Sequence, residues 1–216
     1  MAAGLEGKSV IVTGAADGVG LAIARRFVAV GARVTMADRD EDQLAAEVAS
    51  LSGARGEVQF HAGDLREKLS IANLLAATID AFDRVDILVN ASRQVLPTDT
   101  LSTDDKSVDD LLQQNVLAGL RLSQAVARRM IKQAEAETDE DARGSIGSIV
   151  NMSSIAAQRS HPDLLAYSIS CAALDQATRS LAVAWALDWP SMMKASPQIR
   201  LFTVATFVST PVVRVP

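Results

Sequence analysis

The chain has 216 residues, a formal net charge of −5 and 49% hydrophobic residues. At about 150 residues per domain, that length predicts one domain spanning the chain. An acidic balance excludes the basic face that phosphate backbones require. The single cysteine, Cys171, excludes an intrachain disulfide, and His61 and His161 lie too far apart to suggest a metal site.

In chain order, short apolar runs alternate with segments of helical period. Residues 8–13 (KSVIVT) predict a first strand, 19–30 a helix, 33–37 (RVTMA) a second strand and 41–51 a second helix. A third strand is expected at 57–61, a helix at 67–82, a fourth strand at 86–89 and a helix near 108–130. Residues 148–152 (SIVNM) predict a fifth strand, 164–188 a long helix and 199–205 a sixth strand. Near-continuous apolar strands alternating with helices indicate an α/β fold: one doubly wound parallel sheet covered by helices on both faces. Such sheets bind ligands at the carboxyl ends of their strands. The acidic run at 135–141 and the segment 190–197 are expected to be surface loops. No run approaches the ~18 apolar residues of a membrane span, and no signal peptide is evident, so a cytoplasmic protein is expected.

The first strand runs into Thr13-Gly14-Ala15-Ala16-Asp17-Gly18-Val19-Gly20. Gly14, Gly18 and Gly20 between a strand and a helix allow a tight turn, and the helix start offers N–H groups to a pyrophosphate. The position at the first strand–helix junction makes this a dinucleotide fingerprint. Asp38 ends the second strand eighteen residues after Gly20. A carboxylate there accepts hydrogen bonds from the adenosine ribose hydroxyls and repels a 2′-phosphate. Asp17 adds a second negative charge, and Arg39 a positive one that could receive such a phosphate. Two carboxylates against one cation favour NAD over NADP.

The loop resembles the TGxxxGxG signature of the short-chain dehydrogenase/reductase family. Further matches follow in order. Asp64-Leu65 resembles the family's adenine-contacting pair, and Asn90 the start of its NNAG motif. Asn115 falls where the family has an active-site asparagine. Ser154 precedes Tyr167 by thirteen residues, the family spacing of active-site serine and tyrosine. The resemblance runs from about Leu5 to Pro211. It implies a Rossmann fold and interconversion of a secondary alcohol and a ketone, of 3-oxoacyl or sugar and polyol type. Catalysis would fall to Tyr167, Ser154 and Asn115. Gly14, Asp17, Gly18, Val19, Gly20, Asp38, Asp64, Leu65 and Asn90 would bind the cofactor. It also implies a small-molecule substrate and a homo-oligomer, dimer or tetramer, built on the helices starting near Val108 and Leu164.

Two departures stand out. Cys171 occupies the place of the family's lysine, four residues after Tyr167, and so one helical turn away on the same face. A thiol of pKa about 8.5 is mostly neutral at pH 7 and supplies no positive charge. Arg93, three residues past Asn90, is a cation near the right strand end. The C-terminus is short against the family pattern, which predicts truncated C-terminal elements. An alternative function follows: a catalytically impaired relative that binds NAD(H) in a structural or regulatory role.

Overall fold

The computed structural model describes residues 4–102, 105–136, 146–187 and 199–206. Its strands are β1 (Ser9–Thr13), β2 (Arg33–Asp38), β3 (Glu57–Ala62), β4 (Ile87–Asn90), β5 (Gly147–Ser154) and β6 (Ile199–Thr206). Its helices are α1 (Gly18–Ala29), α2 (Glu41–Ser50), α3 (Lys68–Phe82), α4 (Ser107–Leu112), α5 (Ala118–Ala136) and α6 (Leu165–Leu187). All strand pairs are parallel, in the order β3-β2-β1-β4-β5-β6. The expected doubly wound sheet is therefore present, and the direction of winding reverses between β1 and β4. The expected surface loop at 190–197 and most of the acidic run lie outside the described residues.

Alternation along the strands divides the core between the two faces. Val10 and Val12 of β1 lie in register with Val34 and Met36 of β2 and pack on Ala24 and Val28 of α1 and Leu44 of α2. Ile11 points the other way. It joins Leu88 of β4 and Ile149 of β5 beneath Leu74 of α3 and Leu122, Val126 and Met130 of α5. Both faces are covered, so β1, β2 and β4 place buried apolar residues on both sides of the sheet.

The helices follow from the same economy of residue types. α1 buries Gly20, Ala24 and Val28, four apart, so small side chains set it close on the sheet. The Asp40 side chain caps α2 by accepting from the Gln43 N–H at 3.0 Å. Buried Asp86 accepts from the Ser9 N–H at 2.9 Å and from Arg84 Nε at 2.8 Å, joining the starts of β1 and β4.

The helix expected near 108–130 is interrupted. α4 and α5 are separated by a π-helical turn, Gln113–Leu117, that contains Asn115. Side-chain periodicity does not reveal this, because a π-turn is defined by main-chain hydrogen bonds rather than by an apolar pattern. The cause is tertiary: the Asn115 side chain pairs with the Gln94 main chain, at 2.7 and 2.8 Å.

Leu88 is fully buried between Ile11 and Ile149 in register. Leu88→Ala should lower the unfolding free energy by about 2–5 kcal/mol, measured by urea denaturation.

Candidate functional site

Thr13 ends β1, and its Oγ1 accepts from the N–H groups of Ala91 and Ser92, both at 3.1 Å. This clamps the carboxyl ends of β1 and β4 together. Gly14 follows with φ +65°, and a Cβ there would lie 2.7 Å from the Ser92 main chain. Gly20 sits so close that a Cβ would collide with the Gly14 carbonyl oxygen. Only glycine leaves this cradle open. Asp17 is the N-cap of α1, yet its side chain makes no capping hydrogen bond. The positive end of α1 is thus available to an anion.

Above this turn opens a cleft of about 360 Å³. One wall is Gly14 with the helix start Asp17, Gly18, Val19 and Gly20. Asp38 at the end of β2 with Arg39 just after it, and Gly63, Asp64 and Leu65 just after β3, form the second. Ala91, Ser92 and Arg93 after β4 close the third, with Gln114. Asp38 also braces the turn: Oδ2 accepts from the Ala16 N–H at 3.3 Å, and Oδ1 from the Arg39 N–H at 2.7 Å. Asp64 pairs with Arg66, whose Nη2 lies 2.5 Å from Oδ2. That hydrogen bond to Arg66 holds the Asp64 carboxyl below the usual carboxylate range, with a smaller contribution from Arg39.

A second group gathers at the end of β5. Ser154 is the last residue of the strand, and its Oγ accepts from the Ala156 N–H at 3.2 Å, capping a short 3₁₀ turn. Tyr167, in the first turn of α6, is 1% exposed. Its hydroxyl is buried and has no hydrogen bond of full geometry. Burial pushes the phenol above its ordinary pKa; the nearby Ser154 hydroxyl and Arg93 guanidinium pull it back, and Cys171 pushes it up. Cys171 is 4% exposed, and burial raises its thiol as well. It is therefore a neutral group at pH 7.

Asn115 joins the two regions. Its Oδ1 accepts from the Gln94 N–H at 2.7 Å, and its Nδ2 donates to the Gln94 carbonyl at 2.8 Å and to Ser170 Oγ at 3.1 Å. Ser170 Oγ in turn donates to the Tyr167 carbonyl at 2.8 Å. The π-helical turn brings Asn115 onto the Gln94 main chain and so fixes the start of α6. π-Turns inside helices are frequent at functional sites.

The profile of the family described as short chain dehydrogenase matches residues 8–189. The chain belongs to the short-chain dehydrogenase family. It is 34% identical over 183 residues to a D-threitol dehydrogenase of Mycolicibacterium smegmatis, covering 84% of this chain and 65% of that protein. It is 33% identical over 176 residues to a sorbitol dehydrogenase of Cereibacter sphaeroides, covering 82% of this chain and 64% of that one. The chain thus spans just under two thirds of the length of these curated relatives. The crystal structure of a short chain dehydrogenase from Mycobacterium smegmatis superposes with a TM-score of 0.80 at 25% identity, covering 95% of this chain and 79% of that one.

Within this family fold, eight of the nine residues expected at the cofactor line the one cleft. Asn90 is the exception. Its Nδ2 donates to Ser123 Oγ at 2.9 Å and Asn151 Oδ1 at 2.8 Å, and Asn151 Nδ2 donates to Thr178 Oγ1 at 2.9 Å. Asn90 therefore ties β4 to α5, β5 and α6 from inside, and lines a void of about 10 Å³. Its side chain faces the interior because the strand alternation directs it there. Ser154 and Tyr167 meet at the β5–α6 junction, and Cys171 lies one turn further along α6. Sequence reasoning missed Thr13, Gln94 and Ser170, which position the others. Thr13 directly before the glycine turn was the one available signal. The other two are ordinary polar residues until folding brings them to Asn115. Among the described residues, no cluster of His, Cys, Asp and Glu could hold a metal, and no helix is long and apolar enough to cross a membrane.

Gly20→Ala should weaken dinucleotide binding by at least about tenfold, roughly 1.4 kcal/mol, with circular dichroism unchanged. Asn90→Ala should act oppositely. It should cost about 1–3 kcal/mol of stability in thermal unfolding and alter cofactor affinity less than Gly20→Ala does.

Proposed function

We propose that the chain is a nicotinamide-dependent oxidoreductase that interconverts a secondary alcohol and a ketone, prefers NAD(H) to NADP(H), and takes a sugar- or polyol-type substrate. The observation that carries this reading is the placement of a glycine cradle and a serine–tyrosine pair at the same end of one sheet. The similarity to threitol and sorbitol dehydrogenases supports the substrate class. A 3-oxoacyl substrate is the second class to test.

The residues present fit a dinucleotide. The cradle at Gly14 and Gly20 has no room for a Cβ, as a close pyrophosphate contact requires, and the α1 amides would hold the phosphates. Asp38 would accept from the adenosine ribose hydroxyls. Arg66 offsets Asp64, which leaves Asp17 and Asp38 against Arg39 at this end, a balance that disfavours a 2′-phosphate. A nicotinamide cofactor, when bound, supplies the hydride acceptor or donor. The Ser154 hydroxyl would donate to the substrate oxygen and orient it. The Tyr167 phenol would give its proton to that oxygen in reduction and, as phenolate, take it back in oxidation. Asn115, through Ser170, holds the main chain of Tyr167 in place.

A second reading, cofactor binding without turnover, is favoured by one observation: the buried neutral Cys171 gives α6 no charge with which to stabilise a phenolate. Fluorescence titration with NADH, followed by a panel of sugar ketones and 3-oxoacyl thioesters, separates the two. Binding with oxidation of NADH supports the oxidoreductase. Binding with every ketone inert supports the second reading, and absence of binding overturns both.

Asp38→Ala should weaken NAD binding more than NADP binding, read by parallel titrations; an unchanged ratio removes the ribose assignment. Tyr167→Phe should lower turnover by about 10²–10⁴ with cofactor affinity intact. Because burial holds the phenol above its ordinary pKa, it is a neutral donor at pH 7. Alcohol oxidation should therefore rise by about tenfold per pH unit toward alkaline pH, while ketone reduction stays flat until the phenol ionises.

A further inference from the structure

A buried phenol that cycles through its anion needs a positive partner, because an uncompensated charge away from water is expensive. α6 offers none. One turn beyond Tyr167 stands Cys171, a buried thiol, and one turn beyond that Asp175, whose carboxylate opposes negative charge at Cys171. Neither of these two side chains supplies a positive charge beside Tyr167.

The cation comes from the facing loop. Arg93 lines the cleft, and its Nη1 donates to the Ser153 carbonyl oxygen at 3.1 Å. Ser153 directly precedes Ser154, and its own Oγ donates to the Cys171 carbonyl at 3.4 Å. Arg93, Ser153 and the Cys171 turn of α6 thus form a continuous contact across the end of β5. We propose that Arg93 replaces an α6 cation as the charge that stabilises the Tyr167 phenolate. It acts as a positioning residue through electrostatics, and guanidinium suits the task because it stays protonated at every working pH. The inference rests on the assignment of Tyr167 as the proton-transfer group.

The ionisable groups that act on the phenol support this. Arg93 draws the Tyr167 phenol down and Cys171 pushes it up, while Arg93 also draws the Cys171 thiol down. Arg39, the other arginine on the cleft wall, directly follows Asp38 at the end of β2 and acts on Asp64.

Tyr167 is the only tyrosine in the chain, so the near-ultraviolet absorbance of its phenolate reports this residue alone. The experiment is a spectrophotometric pH titration of the full chain without cofactor, with circular dichroism recorded at each pH. Arg93→Gln and Arg93→Met should each raise the Tyr167 midpoint by about one pH unit or more. Arg93→Lys, which keeps the charge, should stay close to the parent. Adding Cys171→Lys to Arg93→Gln should bring the midpoint back down. An unchanged midpoint in the neutral variants overturns the proposal. So does an equal rise in Arg93→Lys, which would assign the effect to the Ser153 hydrogen bond. The readout needs no turnover, so a chain that reduces no ketone still tests Arg93. Failure of the ketone panel with the Arg93 dependence intact would count against the activity alone. Where turnover is present, Arg93→Gln should move the pH profile of kcat to more alkaline values and leave KM for the ketone nearly unchanged.

Discussion

The approach of β1 and β4 at their carboxyl ends is the constraint from which the site is built. Parallel winding reverses between these strands, so the loops that follow them diverge to opposite faces and leave a crevice. How deep the crevice is depends on contact between main chains. Thr13 Oγ1 takes the two N–H groups at the start of the β4 loop, and Gly14 passes that loop at a distance no side chain permits. A bulkier residue at 14 would push Ser92 outward and carry Arg93 with it. The glycine turn and the charge beside Tyr167 are thus mechanically one object.

Inside the sheet, polar residues take on the work of alignment. Asn90, Ser123, Asn151 and Thr178 form a buried chain across β4, β5, α5 and α6. Asn115 adds a second chain through Gln94 and Ser170 to the first turn of α6. Each donor would be costly to leave unmade in this environment, so the two chains restrict how β5 and α6 can shift relative to the cleft. Ser154 and Tyr167 have a defined spacing because neither element can slide.

The electrostatics of the site are distributed in an unusual way. The cleft end at β2 and β3 carries Asp17, Asp38 and the Asp64–Arg66 pair. The β5–α6 end is nearly dry, with a phenol and a thiol both raised by burial. In such surroundings a single guanidinium has a longer reach than in water, because less solvent screens it. The loop after β4 thus brings to this end the guanidinium that draws both groups down.

Local order in the sequence determined much of this. Apolar period, strand–helix alternation and the glycine turn specify the doubly wound sheet, and a sheet of that kind puts its ligand at the strand ends. That residues 14, 17–20, 38, 64 and 65 line one cleft was legible for the same reason: they occupy fixed offsets from strand ends. What sequence could not decide is where each polar side chain points once neighbouring elements pack. Asn90 stands at the correct strand end yet turns inward, because alternation and the partners at Ser123 and Asn151 direct it there. The π-turn at Asn115 has no periodic signature, since it depends on the main chain of Gln94, twenty-one residues away. The meeting of Arg93 with Ser153 is likewise created by the pairing of β4 with β5, sixty residues apart. Sequence determines the elements and their order through local propensity and pattern. The burial of Tyr167 and Cys171, and the charge that reaches them, arise only when distant segments share one dry space, and that was decided by the tertiary structure.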